Sequence, residues 1–115
     1  MPRDWKMRVQ DILEAISKIQ RYTTGMDYAA FRMDEKTVDA VIRNFQIIGE
    51  AARHIPADLE SRWSHIPWSD MRDMRNVVIH EYFGVSREIL WQTMTKDLPP
   101  LLPLLTQVLA ESQSE

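Results

Sequence analysis

The 115-residue chain contains no cysteine, which excludes a disulfide framework and a zinc site built on thiolates. It has no apolar run close to the roughly 20 residues that span a bilayer, and its first residues have no apolar signal core. It also lacks a glycine-rich loop of the kind that cradles phosphates. We therefore expect a cytoplasmic protein without a membrane span, folded as one domain over residues 1–115.

Positive charge is not in excess either. The formal net charge is −3 at pH 7 and the pI is about 5.6, whereas proteins that bind long duplexes are basic. Any RNA contact is therefore predicted to be local, covering a few nucleotides, without a strong dependence on salt. An acidic protein would also suit a basic protein partner.

Apolar residues recur at helical spacing along the chain. The first predicted helix covers residues 4–22. The second begins with Asp34 as its cap and runs to residue 54, before Pro56. Each carries one apolar stripe, so we expect the two helices to pack antiparallel in a bundle.

The second half of the sequence predicts three further helices. One starts after Pro67, with Ser69 as its predicted cap, and continues to Gly84. A fourth covers residues 86–98, and Pro99-Pro100 separates it from a short fifth helix over residues 101–109. With no strand pair in the pattern, the predicted fold is an all-α bundle of four to five helices.

Four polar residues surround an apolar Val77-Val78-Ile79 insert: Arg75, Asn76, His80 and Tyr82. A histidine exchanges protons near neutrality, and an arginine fork fits a phosphoryl group without losing its charge. Together they suffice to cleave RNA without a metal, by activating the 2′-hydroxyl, stabilising charge on phosphorus and releasing the 5′-oxygen. The alternative is an ordinary surface arginine and a helix-end histidine favoured by the dipole.

One histidine cannot be base and acid at once, and helix geometry adds a second constraint. Residues five apart lie about 140° around an ideal helix, so Arg75 and His80 would not lie side by side, whereas Asn76 and His80 would. Either the helix loosens near His80, or the partners meet across an interface. A two-fold homodimer would supply two copies of each group to one cleft.

The spacing Arg75-x4-His80-x-Tyr82 resembles the signature of the HEPN (higher eukaryotes and prokaryotes nucleotide-binding) superfamily, specifically of the HepT-like toxins. The likeness extends to RNFQIIGEAA at residues 43–52, to Ile-Pro-Trp at residues 66–68 and to residues 91–98, and so covers nearly the whole chain. It implies a HEPN-type helical bundle that is homodimeric, with an RNA cleft between the protomers.

The resemblance also implies roles for the motif residues. In such toxins the motif arginine and histidine, here Arg75 and His80, are the ribonuclease residues. The motif tyrosine, here Tyr82, is the implied acceptor of AMP groups that a partner minimal nucleotidyltransferase antitoxin transfers from ATP. An adenylate would add bulk and negative charge beside an RNA site, and so would block and repel RNA.

Two supporting residues leave alternatives open. Asn76 either orients His80 or touches the substrate. Glu50 follows Gly49, whose missing side chain could allow close approach of a neighbouring helix or protomer. Glu50 then forms either a structural ion pair with an arginine or a support for the active site.

Metal and stacking sites are less favoured by the pattern. The three histidines have no i, i+4 pair, so we predict no metal and no cofactor bound by this chain. Trp63 and Trp68 flank a turn, where anchoring a loop on the core is favoured over stacking on bases.

The sequence therefore predicts a metal-independent endoribonuclease toxin, homodimeric and able to form a hetero-oligomer with its antitoxin. The alternative function is a non-catalytic module that binds a nucleotide or a protein and partners a nucleotidyltransferase.

Overall fold

The computed structural model describes residues 4–76 and 87–113 of the chain. Within these ranges it consists of seven α-helical segments and one π-helical turn, with no strand. The predicted all-α class is confirmed. The segments outnumber the predicted four to five helices because Tyr28–Met33 and Ala57–Arg62 are too short to show an apolar period.

The first three helices are α1 (Trp5–Tyr22), α2 (Tyr28–Met33) and α3 (Glu35–Arg53). Each begins at an aspartate whose carboxylate accepts a backbone N–H of the first turn, at Asp4, Asp27 and Asp34. The bounds of α1 and α3 confirm the two long helices that the sequence predicts. Helix α2 is the segment between them that the sequence pattern does not predict.

Helices α1 and α3 form the central packed pair of the fold. Their apolar stripes face each other and are almost completely buried, through Val9, Ile12, Ile16 and Ile19 on α1 and Val38, Val41, Phe45 and Ile48 on α3. Burying apolar surface contributes about 25 cal/mol per Å², so the two buried stripes contribute substantially to stability. This packing also makes α3 a rigid base for the segments that pack on it.

Helices α4 (Ala57–Arg62) and α5 (Trp68–Asp73) each begin directly after a proline. The residue before α5 is Pro67, which makes no side-chain cap, and Ser69 lies inside the helix. The predicted Ser69 cap is therefore wrong. A proline suits the start of a helix because its missing N–H is not needed there.

Helix α5 ends at Asp73, and Met74 and Arg75 form a turn. The backbone N–H of Met74 donates to Met71 at 3.2 Å and that of Arg75 to Arg72 at 3.4 Å. These i to i+3 bonds replace the α-helical pattern. The prediction of one unbroken helix from after Pro67 to Gly84 is wrong at Met74 and Arg75, and residues 77–86 lie outside the described part of the chain.

The C-terminal part contains α6 (Arg87–Gln92), a π-helical turn (Thr93–Asp97) and α7 (Leu101–Gln113). The π turn is closed by Leu98 N–H, which donates to the Thr93 carbonyl at 3.2 Å. Because Pro99 has no N–H, the helix cannot continue regularly, and the predicted break before α7 is confirmed. Helix α7 extends beyond the predicted residue 109.

The remaining contacts place the elements around the central pair. Helices α2 and α5 pack on α3, α7 packs on α1, and α2 packs on α6. No helix in the described ranges is both long and apolar enough to cross a membrane. The predicted homodimer stays a prediction.

Candidate active site

Arg75 lies in the turn that follows α5, where this turn crosses α3. Its side chain is 46% exposed, so the guanidinium is open to solvent. The hydrogen bond of its N–H to the Arg72 carbonyl ties the residue to the end of α5. The motif arginine is thus fixed at its backbone and accessible at its charged end.

Gly49 is the point on α3 that the turn approaches most closely. A Cβ atom at Gly49 would overlap Cγ of Arg75 and would lie 2.8 Å from the Arg75 backbone nitrogen and 3.1 Å from the Arg72 carbonyl oxygen. The last two neighbours are backbone atoms, which cannot move without shifting the whole turn. The close approach expected at Gly49 is therefore confirmed, with the segment that carries Arg75 as its partner.

Glu50 faces the motif arginine across this crossing. Its Oε2 lies 3.9 Å from Nε of Arg75 and 3.8 Å from Nη1 of Arg53, and its Oε1 lies 3.2 Å from Nε2 of His54. No hydrogen bond or further ion pair of the Arg75 side chain is found with residues 4–76 or 87–113. Among the described residues, no anion meets the edge formed by Nη1 and Nη2 of Arg75.

The surroundings of Glu50 favour its charged form. The pKa of its carboxyl lies below the ordinary value, first because of the hydrogen bond with His54 and then because of the charges of Arg53 and Arg75. Burial acts in the opposite direction but does not outweigh these partners. An ionised Glu50 thus lies beside Arg75, and both alternatives predicted for Glu50 remain compatible with this pairing.

The other predicted site residues are placed only in part. Asn76 follows Arg75 and is exposed. His80 and Tyr82 lie outside the described residues, so their roles stay predictions. His54 and Arg53 were not predicted as partners of Glu50, although their i+4 and i+3 spacing from it indicates this contact.

Two tryptophans hold the segment that leads into α5. Trp63 and Trp68 are 5% and 4% exposed, and the indole N–H of Trp68 donates to the Trp63 carbonyl at 3.0 Å. Arg72 of α5 also pairs with Glu60 of α4. The predicted anchoring of this loop on the core is confirmed, since rings this deeply buried have no face for a base.

A cleft of about 430 Å³ lies beside α5, between this helix, the π turn and the start of α7. Its floor is apolar, whereas its rim carries three carboxylates and one amine, from Asp70, Asp73, Asp97 and Lys96. An acidic rim repels a phosphate backbone. The cleft therefore does not extend the anion-accepting surface around Arg75.

Most of the chain matches one known protein family. The family described as "Ribonuclease HepT-like" matches residues 12–108, a range that contains Glu50, Arg75, His80 and Tyr82. No solved structure matches the chain.

Three curated relatives are similar over most of their length. A "Probable ribonuclease HepT" of Thermococcus cleftensis is 44% identical over 88% of this chain and 92% of its own. A "Putative RNase" of Methanocaldococcus jannaschii is 33% identical over 100% of this chain and 96% of its own. A "Putative RNase" of Caldanaerobacter subterraneus is 30% identical over 91% of this chain and 94% of its own. The chain therefore belongs to the ribonuclease HepT-like family of the HEPN superfamily.

Proposed function

We propose that this protein is a metal-independent endoribonuclease and the toxin of a toxin–antitoxin pair, cleaving RNA at a site that contains Arg75 and His80. The match of the ribonuclease HepT-like family across the whole motif carries the proposal. The exposed Arg75 beside an ionised Glu50 supports it, because a guanidinium that binds phosphate must present its donors to solvent.

In the proposed reaction His80 acts as the base that removes the proton of a ribose 2′-hydroxyl. The 2′-oxygen attacks the adjacent phosphorus, the bond to the 5′-oxygen breaks, and a 2′,3′-cyclic phosphate forms. Arg75 stabilises the negative charge that grows on the phosphoryl oxygens. A protonated imidazole then supplies the proton that the leaving 5′-oxygen needs.

A homodimer would provide the acid as well as the base. Each chain has one His80, so a cleft between two copies contains one imidazole for each role. Arg75 itself lies in a turn, so the ideal-helix spacing of about 140° between residues five apart is not imposed on it. Asn76, exposed beside Arg75, would orient His80 or the substrate.

Tyr82 would be the regulatory residue. A minimal nucleotidyltransferase antitoxin would join the tyrosine oxygen to the α-phosphorus of ATP, releasing pyrophosphate and leaving an AMP group on Tyr82. The added phosphate would compete with RNA for Arg75 and repel its backbone, which would silence the toxin. The ATP belongs to the partner's reaction, so this chain needs no cofactor of its own.

The role of Arg75 is tested by cleavage of a mixed RNA pool with Arg75→Ala and Arg75→Lys. We expect Arg75→Ala to cut about 10²–10³-fold more slowly, the usual cost of removing a group that stabilises transition-state charge. Arg75→Lys should retain part of the rate, because it keeps the charge but loses the fork.

Arg21→Ala is the matched control, since it removes an exposed arginine from the last turn of α1, outside the motif and the contacts of Arg75. A folded Arg75→Ala protein that cuts RNA at the wild-type rate would refute the role proposed for Arg75.

A further inference from the structure

The contact between α3 and the turn after α5 depends on a glycine inside a 19-residue helix, four residues before its end. Alanine is the better helix former at such a position, so a glycine there lowers the intrinsic stability of α3. At Gly49, however, an added methyl group would meet both the side chain and the backbone of Arg75. Helix formation and the close packing of the turn therefore make opposite demands at this one position.

The packing at Gly49 decides which atoms of Arg75 meet Glu50. The turn lies on the helix backbone at Gly49, and Glu50 is the next residue along α3. Its carboxylate reaches Nε of the arginine, the inner donor of the fork, at 3.9 Å. His54 and Arg53 contact the same carboxylate from one turn further along α3 and limit its direction.

We propose that Gly49 and Glu50 together form an arginine seat that positions Arg75 for the reaction, an inference that rests on the function proposed above. Gly49 sets the distance between the turn and α3. Glu50 holds the Nε side of the guanidinium, so that Nη1 and Nη2 point away from α3 and meet the phosphoryl group. Neither residue touches RNA, and both act through Arg75.

The arginine seat explains why a carboxylate lies beside a site that binds an anion. An acid beside a phosphate lowers affinity through repulsion, but it also fixes the direction of a long and flexible side chain. A misplacement of about 1 Å in a catalytic group costs on the order of 10²-fold in rate. The seat should therefore affect turnover more than substrate affinity.

The first test compares Gly49→Ala with Ala51→Gly in RNA cleavage, with circular dichroism and melting curves for both. Gly49→Ala improves the helix and disturbs the seat, whereas Ala51→Gly weakens the same helix at a buried position outside the seat. We expect kcat to fall about 100-fold in Gly49→Ala with little change in KM. Ala51→Gly should melt at a lower temperature and cut normally below it.

Wild-type kcat in a folded Gly49→Ala protein would overturn the proposal. A loss of activity that is equally large in Ala51→Gly would overturn it as well, because the effect would then follow helix stability rather than Arg75.

The second test observes the arginine without relying on catalysis. The Nε–H signal of Arg75 in a ¹⁵N-labelled protein is assigned by its absence in Arg75→Lys. We expect this signal to shift, and its hydrogen exchange to speed up, in Gly49→Ala and in Glu50→Gln. Unchanged signals and exchange in both variants would overturn the seat.

This second test separates the two proposals. If the wild-type protein cuts no RNA, the proposed function fails, and the Nε–H signal alone decides whether Gly49 and Glu50 hold Arg75. If Gly49→Ala does not fold, the Glu50→Gln variant tests the arginine seat, since it leaves the packing at Gly49 intact. A roughly tenfold lower kcat with a shifted Arg75 signal would then support the seat, and wild-type values of both would overturn it.

Discussion

At the scale of single residues, the pairing of Arg75 with Glu50 affects the orientation of the guanidinium more than the stability of the fold. Both side chains are about half exposed, and their charged atoms are 3.9 Å apart. Ion pairs exposed to this degree contribute about 0–1 kcal/mol. In the proposed seat, such a pair favours one orientation of the guanidinium, and the packing of the turn on Gly49 adds to this restraint.

The lowered pKa of Glu50 predicts how this carboxylate affects stability. Ionised Glu50 stabilises the fold fully at a pH above the pKa of the carboxyl in the unfolded chain, about 4.3. This stabilisation is lost as the pH falls through the lower pKa of the same carboxyl in the folded protein. Glu50→Gln should therefore melt slightly below the wild type at neutral pH, and the two melting curves should converge in acid.

Melting temperatures measured across this pH range check the prediction. Glu14→Gln, which removes a carboxylate paired only with Lys18 in the described chain, should show a smaller difference. A Glu50→Gln difference that grew as the pH fell would contradict the account.

The sequence identifies Arg75 and Glu50 as site residues, but it does not pair them. The pairing depends on where the turn after α5 crosses α3, and this crossing is a tertiary contact that no local pattern contains. The contact of His54 with Glu50 is local, since both lie one turn apart on α3.

At the scale of helices, length decides what the sequence can predict. Helices α1 and α3 each show several turns of one apolar stripe, so their ranges follow from periodicity. Helices α2 and α4 have six residues each and complete fewer than two turns. The early end of α5 is equally absent from the pattern, because the turn after α5 packs on Gly49 through Arg72 and Arg75, a tertiary contact that no local pattern contains.

The anchoring of α5 by Trp68 predicts a loss of stability when its hydrogen bond is removed. Trp68→Phe keeps an aromatic ring but removes one of the two donors of the Trp63 carbonyl, which still accepts the N–H of Ile66. We expect about 0.5–1.5 kcal/mol less free energy of unfolding in urea denaturation, the net contribution of one hydrogen bond.

Trp91→Phe is the matched control for this prediction. Its ring packs on Phe31 and Tyr28, and its indole N–H has no hydrogen-bond partner in the described part of the chain. An equal loss of stability in both variants would show that ring size, and not the hydrogen bond, anchors α5.

At the scale of the whole molecule, charge restricts where RNA can lie. The net charge is −3, and the cleft beside α5 is rimmed by carboxylates. RNA would therefore meet a small anion-accepting area around Arg75 rather than a broad basic surface. A cleft completed by a second copy of the chain would double this area.

The central claim is that this chain cleaves RNA without a metal, using His80. The most direct measurement is cleavage of a mixed RNA and tRNA pool in EDTA, with His80→Ala tested beside the wild type. The intact mass of the protein must first show that no AMP is attached, because a modified sample would be inactive. We predict cutting by the wild type that disappears in His80→Ala. Equal cutting by both proteins, or none by folded and unmodified wild type, would contradict the account.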